Sequence, residues 1–262
     1  MVSTQSTVEL PVAGAAALEA AFAAARAAGA PLGLPADGDA PQLDGNRAHW
    51  TLERGNAAEP GAIASGPGTP EALGRLAARW QAWHPAEALP QDGVWRRGVL
   101  QQQLRERTED LSATLDEQAR EQLNRELHHQ GLYRFEDLPV AGSFWRSVRR
   151  HGEHTGLADL TLPPAPVPAF WQLARIALAV AVNETGELDR ERYRALLDGY
   201  HRERPLSAIE RGAAPTLLRM AALDDWLERI EAGRAPAGPD PRLAGLQDAG
   251  TRVQSVWVRP AA

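Results

Sequence analysis

The stretch "VNETGELDRERYRALLDGYHRERPLSAIERGAAPTLLRMAALDDWLERI", Val182 to Ile230, reads as a turn followed by helices. Asn183 to Gly186 supply the turn chemistry. Ser207 stands three residues before Glu210, the spacing of a capping box. Pro215 is expected to break or kink the helical run, since proline lacks the N–H and crowds the preceding turn.

Working outward, "AFWQLARIALAVAV" (169–182) is apolar nearly all round and predicts a buried helix. Downstream, the Pro/Gly-rich "APAGPDP" leads to "VQSVWV" (253–258), a strand candidate. Upstream, "TLDEQAREQLNREL" predicts a long amphipathic helix boxed by Thr114 and Glu117. A helix is also expected over 96–107. "TPEALGRLAARWQAWH" opens with Thr69 as N-cap and Pro70 at the first helical position. Its residues Leu73, Leu76, Ala77 and Trp80 share one face. "RAHWTLER" (47–54) is strand-like, and the run 55–68 reads as a loop or hinge. "PVAGAAALEAAFAAARAAGA" (11–30) is an alanine-rich helix ending at Gly29. Glu19 and Arg26 interrupt it, and the absence of a basic n-region argues against a signal or membrane span.

With 262 residues, 44% of them hydrophobic and 24% charged, the chain has the composition of one core or of two lobes sharing a cleft. It has no cysteine, which removes disulfides and thiolate chemistry and suits the cytoplasm. A net charge of −6 argues against a nucleic-acid partner. All 28 basic residues are arginine, so no lysine can form a Schiff base or reach a nucleotide phosphate.

Three clusters carry candidate chemistry. "HGEH" (151–154) lacks the spacing that places two histidines on one helical face, and reads as a surface turn. His128 and His129 point about 100° apart on a helix and read as surface residues. "RSVRR" places Arg146, Arg149 and Arg150 close enough in sequence to clamp an anion or to form a solvated face. No nucleophile elbow, Walker loop, dinucleotide fingerprint or EF-hand loop is present.

The order of "DGYHRERPLSAIERGA", "LLRMAAL" and "DWLERI" resembles the C-lobe helices of type II homoserine kinases, in the aminoglycoside-phosphotransferase-like group of the protein-kinase fold. "RFEDLPVAG" and "GLADL" resemble the segments that bracket the catalytic and metal-binding motifs of that family. "ELPVAGAAALEAAFAAARAAGAPLGLP" and "QLDGNRAHWTLERG" resemble its N-lobe helix and strands. The resemblance implies a mostly helical α+β fold, with a vestigial N-lobe sheet over residues 1–58 and a helical C-lobe over 59–262. It also implies that the chain starts after the family's first strands, phosphate-covering loop and lysine.

Counted from Leu138-Pro139-Val140, the family's H-x-D-x-x-x-x-N pattern falls on Phe144, Arg146 and His151. Arginine stays protonated and cannot accept the substrate hydroxyl proton. Asp159 of "GLADL" remains as one vestigial magnesium ligand, and Gln172 stands where the family has an acid. The resemblance thus implies a pseudokinase with no intact catalytic residue, no expected cofactor, and a binding, scaffolding or regulatory role. One alternative is a phosphotransferase of small hydroxylated substrates that uses ATP and magnesium with parts supplied by a partner. Another is a new metal site of His151, Glu153, His154 and Asp159. A partner protein or second copy is expected to pair with an exposed N-lobe edge along 47–54; no nucleic acid and no membrane are expected.

Overall fold

Ser207 caps the longest helix, α7 (Ala208–Glu231), through the reciprocal bonds of a capping box with Glu210. The break expected at Pro215 does not occur: α7 continues through it for 24 residues in all. Ala213, Ala214, Leu217, Leu218 and Ala221 are fully buried on either side of the proline, and that packing outweighs one missing hydrogen bond. The computed structural model describes residues 6–30, 42–44, 47–52, 69–84, 97–151, 154–161, 167–235 and 237–257.

Among the described residues seven further helices surround or extend this one: α1 (Val12–Ala27), α2 (Pro70–Trp83), α3 (Arg97–Ser112), α4 (Glu117–Leu132), α5 (Phe170–Val180), α6 (Arg190–Glu203) and α8 (Pro241–Ala249). Thr69 caps α2 as expected, its hydroxyl accepting from the Ala72 N–H at 3.2 Å. The cap of α4 is Asp116 rather than Thr114, whose hydroxyl turns back to the Leu111 carbonyl. α5 is buried from Phe170 to Leu178, which satisfies its all-round apolar character.

α2 and α6 cross at backbone contact because each contributes a glycine. A Cβ on Gly74 would lie 2.1 Å from the Leu196 carbonyl oxygen, and one on Gly199 would lie 2.0 Å from that of Glu71. The core is continuous from Leu18 and Phe22 on α1, through Trp80 on α2, to α5, α6 and α7.

The described strands form three small antiparallel sheets. In the first the order is β1 (Ser6–Pro11), β3 (Arg47–Leu52), β2 (Gln42–Asp44). The strand expected to present a free edge is therefore the central one. β1 pairs along its whole length, Ser6 with Leu52 to Pro11 with Arg47, and β2 pairs with Arg47 to His49 on the other side. Residues 53 and 54 lie outside the described residues. β1 was not legible because a run of six residues leads directly into the alanine-rich helix.

β5 (Phe144–His151) and β6 (His154–Thr161) form a hairpin, while β4 (Val140–Ala141) pairs with β7 (Val167–Pro168). The terminal "VQSVW" is not a strand: Gly250–Arg252 and Gln254–Trp257 are 3-10 turns, the first packed on α8 and the second on α6 and α7. That apolar segment buries Val253 and Val256 from a tight helical turn instead.

Candidate functional site around the root of the β5–β6 hairpin

Three positions that match the catalytic loop of the resembled family, Phe144, Arg146 and His151, all lie inside β5. Asp159 lies in β6. The ladder pairs Trp145 with Leu160 and Ser147 with Ala158, and this register sets Arg146 directly opposite Asp159. Arg149 stands opposite Gly156, Arg150 opposite Thr155, and His151 opposite His154 near the turn. Glu153 and the side chains of His151, His154 and Asp159 lie outside what the structure describes, and with them the metal site expected from these four residues. Among the described residues no three His, Asp or Glu side chains gather into a metal site.

The hairpin root is anchored by Gln172 of α5. The Gln172 Nε2 donates to the Trp145 carbonyl at 2.8 Å, and the Trp145 N–H donates to Gln172 Oε1. One side-chain amide thus pairs with both backbone groups of a strand residue, as a neighbouring strand would. Gln172 is 1% exposed, and this arrangement satisfies its polar atoms in an apolar helix. Trp145 is itself fully buried and meets Trp80 edge-on, with ring centroids 5.0 Å apart.

Beside it lies a second neutral chain. The Trp80 indole N–H donates to Ser143 Oγ at 3.0 Å, and Ser143 Oγ shares a 2.8 Å hydrogen bond with His84 Nδ1. Burial lowers the pKa of His84, which keeps its imidazole neutral between Trp80 and Ser143. On the far side of α2, Gln81 Nε2 donates to the Ala169 carbonyl at 2.8 Å, and the Tyr200 hydroxyl donates to Gln81 Oε1 at 2.5 Å. Burial pushes the Tyr200 phenol above its usual range, so it serves as a donor and not as a base. Ser143, His84, Gln81 and Tyr200 carried no local signal in the sequence, because their partners lie 59 to 119 residues away. A lone amide in "AFWQLARIALAVAV" did carry one: buried, it had to find partners.

The paired histidines of α4 diverge as helical geometry requires. His128 is exposed, while His129 Nε2 lies 3.3 Å from Thr216 Oγ1, and burial followed by the nearby Arg219 lowers its pKa.

No family model matches the sequence. Among curated proteins, the homoserine kinase of Janthinobacterium sp. (strain Marseille) is 51% identical over 106 residues, 37% of this chain and 31% of that protein. The homoserine kinase of Methylobacillus flagellatus is 43% identical over 97 residues, 32% of this chain and 30% of that protein. These matches thus span less than a third of the length of either relative. Among solved structures, the macrolide 2'-phosphotransferase of Brachybacterium faecium aligns over 98% of this chain and 86% of its own, at 15% identity and a TM-score of 0.41. Over the stretch it shares with those kinases, the chain is similar in sequence to homoserine kinases.

Proposed function

We propose that this protein is a degenerate homoserine-kinase-like pseudokinase that acts by binding a protein rather than by transferring phosphate. The observation that carries the reading is the placement of Arg146 within a continuous strand, opposite Asp159. Phosphoryl transfer depends on positioning and charge: a base for the hydroxyl, carboxylate and amide ligands for magnesium, and a cation on the nucleotide phosphates. Here an arginine, which cannot take the proton, stands at the base position. A histidine stands at the amide position, and the Gln172 amide is occupied by Trp145. No lysine exists in the 262 residues. The residues present do not fit magnesium–ATP.

Titration calorimetry with magnesium–ATP, with and without homoserine, tests this. Neither measurable heat nor ADP release is expected. Micromolar ATP affinity together with ADP release that Asp159→Asn abolishes would overturn the proposal. Turnover that appears only after a second protein is added would favour the alternative, a phosphotransferase of small hydroxylated substrates completed by a partner.

A further inference from the structure

The groove between α3 and α4 has a chemistry that the proposed role does not use. It encloses about 490 Å³ and is lined from α3 by Gln101, Arg105 and Glu109 and from α4 by Arg120, Asn124 and His128. The lining positions recur at helical spacing, 101, 105 and 109 on one wall and 120, 124 and 128 on the other, so each helix turns one stripe to the groove. The fixed charges are two arginines against a single carboxylate, in a chain whose net charge is −6.

The arginines of this groove differ from those that hold the fold together. Arg107, also on α3, donates to Asp224 at 2.7 Å and to Glu231 at 2.6 Å on α7. Arg79, Arg175, Arg204, Arg219, Arg229 and Arg242 each pair with a carboxylate as well. Among the described residues, Arg105 and Arg120 have no carboxylate within salt-bridge distance. The two hydroxyls of the lining are already committed as donors: Thr108 Oγ1 to the Arg105 carbonyl at 3.0 Å, and Ser112 Oγ to that of Glu109 at 2.7 Å. The donors left to face a ligand are two guanidinium groups, the Asn124 amide and the His128 ring. Gln101 lies against Gly131, where a Cβ would sit 1.6 Å from its amide nitrogen.

We infer that the α3–α4 groove is a binding site for a small anion carrying a phosphate or carboxylate group, held between Arg105 and Arg120. Guanidinium groups bind such oxygens through paired N–H donors. A site open to solvent remains sensitive to salt, so its affinity falls as ionic strength rises.

The test uses calorimetry and thermal unfolding of the full chain with inorganic phosphate and with succinate, each against chloride at matched ionic strength. Saturable binding of at least one anion is expected, weakened at least tenfold in Arg105→Gln and in Arg120→Gln. Arg125→Gln, an exposed α4 position outside the groove, should bind as the parent does. Preference for phosphate identifies a phosphorylated ligand, and preference for succinate identifies a dicarboxylate. Absence of saturable binding beyond chloride, or binding unchanged in both groove variants, overturns the inference. The substituted side chains are exposed, so folding of the variants is checked by the same unfolding curves.

Discussion

Two regions of this molecule bury polar groups in opposite ways. Around α7 the interior is ionic. Glu126, fully buried, accepts from Arg219 at 2.5 and 3.0 Å, from Gln130 at 2.6 Å and from Gln247 at 2.9 Å. Asp224 bridges Arg107 at 2.7 Å and Arg175 at 2.5 Å. Burial works to raise the Asp224 carboxyl, yet Arg175 and Arg107 outweigh it and hold the group below its ordinary range. Around the hairpin root the described network is neutral: Trp80, Ser143 and His84 in one chain, Gln172 on the Trp145 backbone, Gln81 between Ala169 and Tyr200. A site for phosphoryl transfer needs preorganised charge, so the ionic plan would be expected beside β5. It serves instead to join α3, α4, α5 and α7, while the hairpin root satisfies the Trp145 backbone and the Trp80 indole with neutral partners.

The contrast can be broken at its strongest point first. Glu126→Ala leaves the Arg219 guanidinium largely buried without its carboxylate, and should destabilise by about 3–5 kcal/mol in urea unfolding. A loss under 1 kcal/mol would show that the ionic region does not depend on this pair.

Gln172→Ala removes two hydrogen bonds to a buried peptide and should cost about 2–3 kcal/mol. Amide exchange at Trp145 should accelerate with it. Gln122 offers a matched comparison, since its amide donates to the Asp240 carbonyl at 2.9 Å and accepts the Asp240 N–H at 2.8 Å. Gln122→Ala should cost a similar amount, although Asp240 remains tied to Arg229 and to the Leu243 N–H. A much smaller loss at 172 than at 122 would mean that the hairpin root is not a fixed part of the fold.

Acid separates the two regions by pH window. His84 has a folded pKa below its ordinary 6.5, so the unfolded chain takes up the proton first. Its contribution is complete above that value and is lost as pH falls from about 6.5 towards the folded pKa. Asp224, depressed below its ordinary 3.8, loses its contribution only at lower pH, as the folded carboxyl is finally protonated. Denaturation midpoints followed from pH 8 to 3 should show a shallow early decline that His84→Gln flattens, and a later one that Asp224→Asn reduces. An early decline unchanged in His84→Gln would remove the histidine from the account.

The smallest effect is expected where charge meets water. Arg79 pairs with Glu203 at 2.9 Å, yet the two side chains keep 37% and 29% of their exposure. Arg79→Ala should change stability by no more than about 0.5 kcal/mol. A larger loss would mean that this pair helps hold α2 against α6 beyond the contact of Gly74 and Gly199.

Much of the helical framework was legible because its determinants sit within four residues of one another. The Thr69 cap with Pro70, the Ser207–Glu210 box, the apolar face through Leu73, Leu76 and Trp80, and the buried α5 all act locally, and each takes its expected place. The α4 cap shows the margin of that reading: Thr114 and Asp116 both offer an oxygen, and only the path of the preceding turn selects Asp116. The candidate site was legible as positions, not as an arrangement. Phe144, Arg146, His151 and Asp159 could be counted off the sequence, but their assignment to two paired strands depends on a ladder that no short window contains.

By itself the sequence determined most of the helices, the Thr69 and Ser207 caps, and the absence of lysine and cysteine. Those properties belong to single residues or to neighbours in the chain. Tertiary structure alone decided that Arg47 to Leu52 is a central strand, that α7 continues past Pro215, and that "VQSVW" coils into 3-10 turns. It also decided that Gln172 closes on Trp145. In each of these cases local preference was outweighed by a partner distant in sequence: a strand on either side, a buried helical face, or a peptide group that had lost its water and required a hydrogen bond.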